Sequence, residues 1–253
     1  MNKDSGYPDV SPFVGGDRDF STTALSTLFA AADGSLAEGH PSFDKLAKQY
    51  WKPLYVFARC GGRAHDLAQN AVQEVLARIC SPDCVASYPR ENGGFRKYLV
   101  KAMQNEMRTE IRKSRTLKRD TSKEIPFLSE EGDKLLKVLK IKNEPPEVAF
   151  DYSHAYGVFT EALTKLRSQA APALVALWER ENFAVFGIDE EGRRDLAAAL
   201  ATTEDAVRKK VERLTPVFRE FLKAEVRESC TTESECEDES KYLLKCLARK
   251  TAA

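Results

Sequence analysis

Glycine, proline, histidine and tryptophan are scarce in these 253 residues, at 13, 11, 3 and 2. So few turn formers argue against a sandwich or barrel built from many short strands. The longest apolar run, 170–178, is interrupted by Pro172. It falls far short of the roughly 18 residues that a membrane-spanning helix needs. Residues 1–19 lack the apolar stretch of a secretory signal, so a cytoplasmic protein without a membrane partner is expected. Neither sign of charge dominates, since 39 Lys and Arg balance 39 Asp and Glu. Only the distribution of charge can therefore point to a partner. His40, His65 and His154 stand in unrelated contexts, and there is no glycine-rich phosphate loop, paired-histidine helix or nucleophile elbow. Asp66 and Glu74 share a helix but lie about 12 Å apart, too far for a catalytic carboxylate pair. An enzyme is not expected, nor a cofactor. The cysteines at 60, 80, 84, 230, 236 and 246 read as reduced thiols in a chain of this length without a signal. Pro82 separates Cys80 from Cys84, and no further ligands complete a zinc site, so no metal is expected.

Alanine, leucine, glutamate, lysine and arginine are abundant, and these residues favour helix. A weak helix is expected over 21–32. The first strong helix starts at Ser42 as N-cap and carries Phe43, Leu46, Ala47, Tyr50, Leu54, Phe57 and Ala58 on one stripe. Pro53 should kink or restart it, and Gly61 and Gly62 should end it. A second helix over 64–79 repeats Leu67, Ala71, Val75 and Ile79, flanked by Val72 and Leu76. After the turn signal Asn92-Gly93-Gly94, a third helix repeats Phe95, Leu99, Met103, Met107 and Ile111. The stretch 121–145 loses this pattern and reads as a linker, with a short helix at 134–140. Pro146 and Glu147 open another helix whose core face is Phe150, Phe159, Ala162, Leu163 and Leu166. A helix over 170–181 follows.

Two segments bear on function. Between Arg96 and Lys123 stand ten cations and three anions, a local charge of +7 in a neutral chain. Such a helix face suits phosphate contact, with each neutralised phosphate steepening the salt dependence of binding. Tyr98 lies off the apolar stripe, where it can either stack on an unpaired base or pack beside Leu99. Residues 191–201, 202–203 and 204–214 read as helix, tight turn and helix. Leu196, Ala199 and Leu200 pack the first helix, and Thr203 caps the second. Ala206, Val207, Val211 and Leu214 then face inward, leaving Glu204, Asp205, Arg208, Lys209, Glu212 and Arg213 outward. A second helix of this kind fits the DNA major groove, although helical hairpins of the same pattern also fill ordinary cores. The stretch 225–239 carries seven acids against Arg227 and reads as a solvated acidic tail, ahead of a short helix at 240–247.

In order along the chain, these motifs resemble the extracytoplasmic-function sigma factors of bacterial RNA polymerase, a planctomycete-type subgroup most closely. The residues that carry the resemblance are Asp19-Phe20-Ser21-Thr22-Thr23, Tyr50-Trp51-Lys52-Pro53-Leu54-Tyr55, the run Ala68 to Arg78, and Gly93-Gly94-Phe95-Arg96-Lys97-Tyr98-Leu99. Further matches are Pro146-Glu147 through Asp151, Asp195 to Leu200, Glu204 to Arg208, Phe218 to Glu225, and Tyr242-Leu243-Leu244. The resemblance implies a fold of two helical domains joined by a flexible linker, all-α, the second containing a helix-turn-helix. Its divisions are a disordered tail over 1–18, a polymerase-binding and promoter-melting domain over 19–120, a linker over 121–145, a helix-turn-helix domain over 146–228, and an acidic tail with a short helix over 229–253. It implies polymerase contact through Asn70, Gln73, Glu74 and Arg78. DNA contact would use Arg96, Lys97, Tyr98, Lys101, Asn105, Arg108, Arg112, Lys113 and Arg115 near the start site. Thr203, Glu204, Arg208, Lys209 and Arg213 would read the farther promoter element.

The implied function is that of a sigma factor directing core RNA polymerase to promoter DNA, with an anti-sigma protein as a further candidate partner. Asn70 stands where the family has an acid, and His154 where it has tryptophan. Glu212, Thr215 and Pro216 fall where it prefers basic residues. These departures keep two alternatives open: a stand-alone helix-turn-helix regulator, and a diverged helical interaction protein without DNA contact.

Overall fold

The computed structural model describes residues 25, 41–79, 94–116, 143–183 and 190–251, without the side chains of residues 43, 110–116, 183 and 249–251. The chain is all-α. Among the described residues the helices are α1 (Pro41–Cys60), α2 (His65–Ile79), α3 (Gly94–Thr116), α4 (Pro146–Gln169), α5 (Pro172–Phe183), α6 (Glu190–Ala199), α7 (Glu204–Arg227) and α8 (Glu233–Thr251). The tail 1–18, the helix expected over 134–140 and all but the last three residues of the linker 121–145 lie outside the described residues, as do Cys80 and Cys84. Of the helix expected over 21–32, Leu25 is described; it is helical and fully buried.

The described residues form two compact units. One holds α1, α2, α3, α4 as far as Phe159, the end of α7 from Lys223, and α8. The other runs from Thr160 to Leu222. The division falls inside α4 and α7, away from the boundaries expected at 120, 145 and 228. The expected acidic tail is no tail, because most of its acids lie in α8, a helix of 19 residues that belongs to the first unit.

The core of the first unit is supplied by the apolar stripes of α1, α2 and α3. Leu46, Tyr50, Leu54 and Phe57 pack with Ala68, Ala71, Val72, Val75 and Ile79, and with Phe95, Leu99 and Met103. Each large side chain so buried contributes about 1.5–3 kcal/mol. Leu67 departs from expectation, being 45% exposed while Ala68 is buried. Strict steps of four drift about 40° per step around a helix, so the buried set follows the alternating steps 68, 71, 72, 75 and 79. The first helix begins at Pro41, one residue before the expected cap Ser42. Proline suits the first position because its missing N–H would find no helical partner there. Pro53 is buried within α1 and does not interrupt it. The stop is as expected: Gly62 has φ +81°, Arg63 N donates to Ala58 O at 3.0 Å and Gly62 N to Arg59 O at 3.0 Å. These paired bonds satisfy the last carbonyls of α1 around a left-handed residue that glycine adopts without strain.

In the second unit, Trp178 of α5 is buried, lies 4.9 Å from the ring of Phe218 on α7, and donates its indole N–H to Thr215 Oγ1 at 3.0 Å. Arg193 of α6 grips Glu181 of α5 at 2.5 and 2.9 Å. Two expectations are corrected here. The helix starting at Glu204 does not end at 214; it runs through the exposed Pro216 to Arg227. Val207, Val211, Leu214, Phe218 and Leu222 keep one buried stripe on both sides of the proline, and that packing outweighs the lost hydrogen bond. In α6 the buried residue is Ala197, whereas Ala199 and Leu200 are exposed and Leu196 is half-buried.

Candidate nucleic-acid interface

Burial of Phe95, Leu99, Met103 and Met107 fixes the rotation of α3. Lys97, Lys101, Asn105 and Arg108 then fall at steps of three and four on the opposite face, and all four are exposed. They make one polar line with three cations. Arg112, Lys113 and Arg115 continue the helical backbone, and their side chains lie outside the described residues. Tyr98 is half-buried, its ring stacked 6.3 Å from that of Phe95 and packed against the core. The packing role, not base stacking, is the one its position fits.

Arg96 requires a correction. It is 9% exposed and does not stand on the outer face of α3. Its Nη1 lies 2.5 Å from Asp151 Oδ1 on α4, and its Nε lies 2.9 Å from Glu239 Oε1 on α8. The ring of Tyr242 lies 4.2 Å from the guanidinium carbon. The Tyr242 hydroxyl donates to Asp151 Oδ2 at 2.5 Å. Burial works against the charge on Arg96, and the carboxylates of Glu239 and Asp151 outweigh it, so the guanidinium is held more firmly protonated than usual. Burial pushes the Glu239 carboxyl up, opposed by Arg96. His154 is fully buried beside this group, with its ring stacked 4.6 Å from Tyr50. The Gln49 side-chain amide reaches its Nε2 at 3.3 Å. Its Nδ1 has no hydrogen-bond partner and lies 4.0 Å from Glu239 Oε1. Burial and, secondarily, the charge of Arg96 lower the His154 pKa to about 3, which leaves the ring neutral.

On α2, Asn70, Gln73 and Glu74 are exposed on the face away from the core. Arg78 belongs to the same expected set, but it reaches the buried carboxylate of Glu106 on α3 at 2.5 Å. It thus ties α2 to α3.

In the second unit, α6 and α7 are joined by a four-residue turn. Thr202 N donates to Ala197 O at 2.9 Å and Ala201 N to Ala198 O at 3.2 Å, around Ala201 at φ +48°. Alanine in this left-handed position is strained by about 1–2 kcal/mol. Thr203 caps α7 as expected, its Oγ1 accepting from Ala206 N at 3.2 Å. Glu204, Asp205, Arg208, Lys209, Glu212 and Arg213 are all exposed. Arg208 is bound by Asp205 one turn back and by Glu212 one turn on, the latter at 3.2 Å, and Lys209 meets Asp205 at 2.8 Å. Hydrogen bonds from Lys209 and Arg208 hold the Asp205 carboxyl at about 2.

Asp151, Glu239, Tyr242 and Thr215 are not among the site residues expected from the sequence. One signal was present: α3 carries no acid in its first turn and Arg96 sits there, at the positive end of the helix dipole. A cation at that place needs carboxylates from elsewhere. Comparison of the chain with protein-family models, curated proteins and solved structures finds no match. No described helix is long and apolar enough to cross a membrane.

Proposed function

We propose that the chain is a sigma factor that binds core RNA polymerase and directs it to promoter DNA. The observation that carries this reading is the α6–turn–α7 pair, in which Thr203 starts a helix whose outer face presents Arg208, Lys209 and Arg213. A single α-helix of this kind fits the major groove, and basic side chains near its start reach bases and phosphates. The outer line of α3, with Lys97, Lys101, Asn105 and Arg108, supplies a second phosphate-binding surface. Asn70, Gln73 and Glu74 on α2 form a polar surface that would meet the polymerase. The task is binding: two weak DNA contacts held by one protein raise each other's effective concentration.

The test is co-elution with core polymerase followed by run-off transcription on genomic fragments. Gln73→Ala with Glu74→Ala should weaken core binding and leave the fold intact. Charge reversal at Arg112 and Lys113 should spare core binding and impair promoter opening. No affinity of the native chain for core enzyme would refute the proposal.

One observation favours a second reading, a diverged interaction protein without DNA contact. Asp205 and Glu212 already engage Arg208 on the face that would meet DNA. That reading requires that no duplex, with or without polymerase, shifts in a gel.

A further inference from the structure

The C-terminal helix α8, acidic in its first turns, touches the start of α3 at Gly94 and Arg96, and the inference rests on the nucleic-acid reading of α3. A further cation of α3, Arg96, is turned away from the exposed line and is already occupied. Arg96 adjoins the exposed Lys97 and Lys101 in sequence, yet Asp151 and Glu239 hold its guanidinium at 2.5 and 2.9 Å, under the ring of Tyr242. Glu235, also on α8, lies close over the helix start, 3.6 Å from where a Cβ on Gly94 would sit. Carboxylate oxygens on the guanidinium edge and an aromatic ring on its face are the contacts that a phosphate and an unpaired base offer an arginine. In this respect the side chains of α8 stand in for nucleic acid.

The arrangement is also poised to change. Two carboxylates, Asp151 and Glu239, share one guanidinium, which leaves one negative charge in excess in a largely buried group. The polar neighbour on α4 that faces Glu239, His154, is neutral and leaves its Nδ1 unpartnered. A buried charge in excess of its partners is costly, and here Glu239 is the one that comes from the separate helix α8.

We infer that α8 is an intramolecular latch, in which Glu239 and Tyr242 withhold Arg96 from nucleic acid and are displaced when α3 binds it. Because the free chain holds Arg96 in the occupied state, its apparent affinity is reduced by the fraction so held.

The probe is fluorescein-labelled single-stranded DNA of mixed sequence, followed by anisotropy at low salt. Three full-length chains are compared: the native protein, the Glu239→Gln/Tyr242→Leu variant, and the same variant with Arg96→Gln. The double variant should bind about tenfold tighter, as expected from removing one charge-assisted hydrogen bond and one ring contact on Arg96, and Arg96→Gln should abolish that gain. Equal binding by the native chain and the double variant, or a gain that survives Arg96→Gln, overturns the latch and leaves the α3 reading standing. No binding by any of the three overturns both. Circular dichroism establishes that each variant is folded. Hydrogen exchange on the native chain gives a measurement free of substitutions. Saturating probe should speed exchange of the amides over 239–251, and unchanged exchange with probe bound overturns the latch.

Discussion

Burial and the charge of Arg96 both oppose protonation of His154, holding it at about 3 against 6.5 in the unfolded chain. Between those values the unfolded chain binds a proton that the native chain refuses. The contribution of His154 to stability is therefore intact above pH 6.5 and falls as the pH drops toward 3, by about 1.4 kcal/mol per pH unit. Unfolding free energies from urea titrations at pH 7 and pH 4.5 should differ by about 2–3 kcal/mol from this source, and His154→Phe should remove that part of the difference. An unchanged pH slope in the variant would show that His154 is not the group responsible. Single residues were legible in the sequence where the cause is local. Thr203 announces its cap by standing just before two acids and an apolar stripe, and Lys97, Lys101 and Arg108 follow from the period of their own helix. Arg96 was not legible, because Glu239 lies 143 positions away and nothing in the local spacing marks the pair. The same holds for Thr215, an apparent loss of a basic residue until Trp178, 37 positions earlier, is seen to donate to it.

Among the helices, α7 shows how packing overrides a local breaker. Pro216 lacks a donor for Glu212 O and crowds that carbonyl, yet the helix continues because Leu214 and Phe218 remain buried on either side. Pro216→Ala should restore the missing bond and raise stability by about 1–3 kcal/mol, read as a higher urea midpoint with an unchanged slope. A fall in the midpoint would mean that the proline fits a bend the helix requires. Among the described residues, the existence and type of α1 to α7 were readable from the sequence. The ends were readable only where a chemical stop exists, as at Gly62, and not where burial alone extends the element, as at Leu222 and Leu243. The acidic run at the start of α8 read as solvated because a charge-rich sequence hides its few inward positions, Cys236, Ser240 and Leu243.

For the protein as a whole, zero net charge conceals a cationic α3 and a run of acids at the start of α8 that belong to the same compact unit. That unit draws on both ends of the described chain: Leu25 N donates to Glu228 O at 2.9 Å, and Lys45 Nζ meets Glu228 at 2.6 Å. A chain ended at Ser229 would lose the buried Cys236 and Leu243, and would leave Arg96 without Glu239 and Tyr242. Its thermal midpoint should fall, with a stability loss of at least about 3 kcal/mol. An unchanged midpoint would show that α8 is accessory to the unit. There is a consequence for biosynthesis. A ribosome delivers α1, α2 and α3, and then Asp151 on α4, long before the helix that supplies Glu239 and Tyr242, so the guanidinium of the nascent segment has only part of its partners until late in translation. Closure over Arg96 becomes a late step, set by the time needed to finish the polypeptide and bring together partners this remote along it.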